Sequence, residues 1–158
     1  MNDLATLTRL LENLIRFGTI HAVQMKPPRV QVKTGNLTTG WLPWLAVRAG
    51  TSKEWCPPTV GEQVILLSPS GQTANGIALT GIYSDANPAN GDRADLHRHT
   101  YPDGAVIEYD SAANVLRATL PGAAEISAQG DITLHSAGNI TLSAAGNVVI
   151  TGARVDLN

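Results

Sequence analysis

The residues with the clearest capacity for chemistry are His97 and His99, separated only by Arg98. Residues two apart on a strand share a face, so both imidazoles would point the same way. Two imidazoles from each of three chains around an axis would make a transition-metal donor set. The alternative is a pair of exposed or hydrogen-bonded linker histidines. Cys56 is the only cysteine. It excludes an intrachain disulfide framework and a cysteine-based zinc site within one chain. It has no histidine or aspartate at a nucleophile-like spacing and reads as a small barrel residue. Trp41, Trp44 and Trp55 could stack bases, but they lie among Pro and Leu with little basic interleaving, which favours core or subunit-interface packing. His135 alternates to an outward position. No paired-carboxylate or nucleophile constellation stands out, so the expectation is a protein that is not an enzyme.

The elements that must position these residues follow from composition and period. The chain has 158 residues, a formal net charge of -2 and 15% charged residues, below the roughly 25% usual for soluble domains. A weakly acidic balance argues against a nucleic-acid binder, whose footprint is a basic face. No apolar run approaches the ~18 residues that span a bilayer, and the N-terminus lacks the pattern of a secretory signal. All the aromatics lie between Phe17 and Tyr109, and none lies in residues 121–158. That tail is too poor in large side chains to build a thick core alone.

Residues 1–17 are expected to hold a short helix. Leu4, Leu7, Leu10, Leu11, Leu14 and Ile15 recur at three- and four-residue spacing, and Gly18 would end it. The stripe either packs on its own domain or meets identical helices in an oligomer. Residues 18–84 are expected to form a small all-β domain with strands at 18–25, 29–35, 41–50, 62–69 and 76–84. Pro43 implies a bulge or edge within the third. An OB-like barrel fits this strand count best. Residues 85–103 read as a polar, turn-rich linker.

Residues 104–158 carry the strongest pattern. Gly122, Gly130, Gly138 and Gly146 recur at a period of eight. The last three are followed by Asp or Asn and then by the apolar pairs Ile132/Leu134, Ile140/Leu142 and Val148/Ile150; Ala124 and Ile126 fill the slots of the first. Such periodicity means a repetitive architecture. Each unit is expected to be one short strand with a corner where Gly takes positive φ. The paired apolar residues share a face. One chain supplies too little side-chain volume to close a core. Three chains about a threefold axis would place Ile126, Ile132, Leu134, Ile140, Leu142, Val148 and Ile150 on that axis and remove the exposed edges. A single-chain β-solenoid is the rival. Calcium-binding nonapeptide repeats need period nine and an aspartate in each unit, and do not fit.

WLPWLAVRAG (41–50), then WCPPTVGEQVILLSPSG (55–71), ANGIALTGIYS (74–84), HTYPDGAVIEYD (99–110) and the octads, taken in this order, resemble the baseplate assembly protein V family. Its members are the central spikes of contractile-tailed phages and of R-type bacteriocins, with relatives among the valine-glycine repeat proteins of type VI secretion. The resemblance implies an all-β chain with a short N-terminal helix, an OB-fold collar at 18–84, a linker at 85–103, and an intertwined triple-stranded β-helix at 104–158 in a homotrimer. It implies a needle assembled in the bacterial cytoplasm, held by tail tube and baseplate proteins, and driven through the outer membrane of a target cell when the sheath contracts. Some members hold an iron ion at the needle tip with a His-x-His pair. Here His97 and His99 fall at the collar-to-needle junction, away from that position. The chain ends in GARVDLN, so the tip is expected to be blunt or capped by a separate PAAR-like cone. Larger relatives carry a lysozyme domain between collar and needle, for which residues 85–103 are too few. The alternative function is an OB-fold module that binds single-stranded nucleic acid or glycan, with a β-solenoid tail.

Overall fold

The computed structural model describes residues 2–156. The chain divides into two units between Thr119 and Leu120.

The first unit begins with helix α1 (Asn2–Asn13), followed by strands β1 (Ile15–Met25), β2 (Pro28–Thr34), β3 (Leu37–Thr38), β4 (Gln63–Leu67) and β5 (Ile77–Ile82). These strands form one sheet in the order β3-β2-β1-β4-β5. β1 is long enough to serve two partners. Ile15 to Thr19 pair with β4, and Thr19 to Met25 pair with β2. The register slips between Ile20 and Ala22, a bulge that lets one strand bend from one neighbour to the other.

The sheet closes on itself through residues that do not form a regular strand. The third strand expected at 41–50 is absent as such, because Pro43 cannot donate to a ladder. Leu42 nevertheless exchanges both backbone hydrogen bonds with Val30, each 2.8 Å. Three residues on, Leu45 N–H donates to Ala78 O at 2.9 Å, and Ala78 N–H donates to Pro43 O at 3.0 Å. The segment thus bridges β2 to β5, parallel to β5 at Trp44 and Ala78. The ring encloses Ile20, Val30, Val32, Leu42, Val64, Leu66 and Ala78, all buried, with Val23 and Trp44 packed against them. Strict alternation in β2 and β4 puts Val30, Val32, Val64 and Leu66 on the inner face.

The helix ends earlier than its leucine spacing predicts. It stops at Asn13, and Ile15, Arg16 and Phe17 already pair with Leu67, Leu66 and Ile65. Alternating Ile15 and Phe17 suit a strand. Gly18 lies inside β1 and does not end the helix. Arg16 braces the junction, donating to Asn13 Oδ1 at 2.9 Å and to Thr34 Oγ1 at 3.1 Å. Leu10 is half-buried where the helix meets the turn at Pro69–Gly71, while Leu4, Leu7 and Leu11 are exposed.

Residues 85–103 are not wholly a linker. They contain β6 (Leu96–Thr100), which pairs with β7 (Val106–Asp110), and β7 with β8 (Val115–Thr119), as a separate antiparallel sheet. Both β7 and β8 fall in the first unit, so residues 104–119 are a hairpin within that unit. The polar LHRHT run hid β6, whose pairing rests on backbone bonds and cross-strand charge.

In the second unit, the described residues 120–156 are all exposed and carry no strand. The chain bends at 121–122, 129–130, 137–138 and 145–146, once per octad. The positive φ expected of the corner glycines is not found. Gly122, Gly130, Gly138 and Gly146 all lie outside the left-handed region. The bends are therefore made with backbone angles open to other residues.

Candidate interaction surfaces

The register of the β6-β7-β8 sheet sorts its side chains cleanly. His97 lies opposite Tyr109, which lies opposite Leu116; His99 lies opposite Ile107, which lies opposite Ala118. All six share one face, because they alternate with the intervening rows. The other face carries Leu96/Asp110/Val115, Arg98/Glu108/Arg117 and Thr100/Val106/Thr119.

The two faces differ in how well they are satisfied. On the second face, Glu108 accepts from Arg98 on one side at 2.8 Å and approaches Arg117 on the other at 3.4 Å. Asp110 is buried and paired with Arg93 at 2.7 Å, and its second oxygen accepts from Ala113 N–H at 3.0 Å. The Arg93 hydrogen bond, followed by the Ala113 N–H, holds the Asp110 carboxyl below its ordinary range. The same bond raises Arg93. On the first face, Ile107, Tyr109 and Leu116 are exposed, Leu116 by 73%. A satisfied charged face backs an uncovered apolar one.

His97 and His99 do share a face, as their spacing requires. Their neighbours there are aromatic and aliphatic. Among the described residues, no third His, Cys, Asp or Glu joins them in a cluster able to hold a metal ion. The His99 ring instead lies 4.4 Å from that of Tyr101, tilted by 57°.

The expected axial residues lie in the second unit, beside Leu120, Val149 and Val155. Ile126, Ile132, Leu134, Ile140, Leu142, Val148 and Ile150 are each more than half exposed in the single chain. Cys56 is an exposed free thiol and lies outside the barrel core. Trp44 packs against the core, but Trp41 and Trp55 remain exposed. Neither the cross-strand row His97/Tyr109/Leu116 nor the closure at Ala78 was visible in the sequence. Both depend on strand register, although the alternation in VIEYD was a legible signal.

Residues 16–83 match the family of the type VI secretion system/phage-baseplate injector OB domain. The spike protein of Escherichia phage P2 is 41% identical over 136 residues, covering 84% of this chain and 64% of the relative. The chain therefore spans somewhat less than two thirds of that relative's length. The barrel that closes through Leu42 and Ala78 coincides with the matched residues, and the identity extends well beyond them. Residues 16–83 thus form a domain of the type VI secretion system/phage-baseplate injector OB family, in a chain whose similarity to a phage spike protein runs well past that domain.

Proposed function

We propose that this chain is the central spike of a contractile-tail baseplate, a homotrimeric needle that pierces the outer membrane of a target cell when the sheath contracts. The observation that carries the reading is the state of the second unit. Its apolar pairs recur every eight residues and remain exposed in one chain, and the backbone bends in step with them. An apolar surface of this kind is unstable in water unless something covers it. Two further copies would cover it symmetrically and offer partners to its backbone N–H and C=O groups.

The role is mechanical in this reading, with no bond made or broken at a catalytic residue. The barrel would form a collar that joins tail tube and baseplate proteins, and a PAAR-like protein would cap the far end. A dry, closed prism with few long charged side chains is kinetically hard to unfold, which suits a device loaded by contraction.

Light scattering on the full chain tests this. A mass of three chains is expected, and Ile140→Asp with Leu142→Asp should reduce it to one chain. A wild-type monomer would overturn the needle. Metal analysis of the same sample decides whether His97 and His99 hold an ion in the assembly.

A further inference from the structure

The barrel carries an exposed aromatic feature outside its core. Trp44 and Trp55 stand with ring centroids 5.9 Å apart and planes tilted by 56°. They floor a cleft of about 410 Å³. The 48–54 loop folds over as a small hairpin, with Ala49 bridged to Lys53 and Glu54 N–H donating to Arg48 O at 3.0 Å. This hairpin brings Arg48 and Lys53 to the rim of the cleft, and Arg29 reaches it from β2. Among the described residues, none of these three cations has a carboxylate within ion-pair distance. Glu54 is the only acid lining the cleft, so the rim carries a clear positive excess. Trp55 is 61% exposed.

We propose that this cleft is a docking site for an acidic peptide segment of a partner protein, one that inserts an aromatic side chain between the cations. The chemistry is specific. Tryptophan and arginine dominate the energetic centres of protein interfaces, and cations beside an aromatic floor accept both a carboxylate and a ring. A nucleic-acid strand fits less well. Its backbone needs a basic track with successive stacking platforms, whereas the cations here are gathered at one spot in a chain of net charge -2. The proposal goes beyond the spike reading and does not depend on the needle.

The test is titration of the full chain, followed by intrinsic tryptophan fluorescence, with a random copolymer of glutamate and tyrosine. Polyglutamate and oligo-dT serve as comparators. The copolymer should quench saturably. Trp55→Ala, and separately Arg48→Glu with Lys53→Glu, should each weaken binding by about tenfold or more. All three positions are exposed, so the thermal midpoint should stay unchanged. Absence of copolymer binding, or binding that both variants leave intact, would overturn the proposal. Equal binding of polyglutamate would remove the aromatic requirement, and tighter binding of oligo-dT would reassign the cleft to a strand. Loss of oligomeric mass in Trp55→Ala would show that a second copy of the chain fills it. A failed needle alongside a working cleft, or the reverse, is read directly by light scattering on the same samples.

Discussion

Gly18 and Val32 approach so closely that a Cβ built on Gly18 would lie 2.6 Å from Val32 Cγ1 and 2.7 Å from Lys33 O. Val32 is fully buried, and the second obstacle is backbone, so neither can yield cheaply. β1 turns here from β4 toward β2, and the bare α-carbon is what lets the two strands meet. Gly18→Ala should cost about 1–3 kcal/mol of stability, the usual range for overpacking. Gly50→Ala, with nothing within 4 Å, should stay within ~0.5 kcal/mol. Urea unfolding of the two variants compares them, and equal midpoints would show that the strands adjust freely.

Leu66 and Leu116 offer a second contrast. Leu66 is fully buried and Leu116 is 73% exposed in the single chain. Leu66→Ala should cost about 2–5 kcal/mol in any oligomeric state, as a cavity in a closed core. Leu116→Asp should be nearly silent in a monomer. In an oligomer that covers the His97/Tyr109/Leu116 row, it would bury an unpaired carboxylate and lower the dissociation temperature. Thermal unfolding at high and low protein concentration separates the cases. A concentration-independent loss for Leu116→Asp would place its effect within one chain.

Asp110 gives a pH dependence with a definite sign. Arg93 and Ala113 N–H hold its carboxyl below the ordinary 3.8. A depressed folded-state pKa means that the contribution is fully present above 3.8 and is lost as pH falls through the lower folded value. Wild type should therefore lose stability in acid more steeply than Asp110→Asn, and the two curves should converge at the lowest pH. Thermal midpoints between pH 7 and pH 2 check this, and parallel curves would remove Asp110 from the acid response.

Much of this architecture was legible because it rests on period. The alternation of Val30/Val32 and Val64/Leu66 marked the barrel walls, and the glycine spacing marked the octads. What escaped was whatever a second strand decides. Leu42 to Leu45 close the ring through one pair of backbone bonds to Val30 and another to Ala78 around a proline, a geometry that strand propensity reads as one interrupted strand. β6 escaped because its hydrophobic content is low and its partner lies in the next hairpin. The octad glycines misled in conformation, since a glycine every eight residues suggests positive φ, whereas these bends use none. A role for small size at such corners needs a neighbouring chain, which one sequence cannot supply.

Gly71 sets the position of α1. Its φ is +69°, and a Cβ there would overlap the backbone of Leu10. Both the left-handed angle and the close approach require glycine. Leu14 O accepts from Ser68 N–H at 2.9 Å, tying the end of the helical region to the same turn. Gly71→Ala should push the helix away at Leu10 while the ring around Leu66 stays closed. Hydrogen exchange should then show faster exchange across Asn2–Asn13 with protection of β2 and β4 retained, the pattern of a locally released element. Because Leu4, Leu7 and Leu11 are already exposed, the release should proceed without a large loss of buried apolar surface. Global unfolding in Gly71→Ala would mean that α1 is integral to the barrel, whereas unchanged exchange in the helix would mean that the turn yields to the added methyl group.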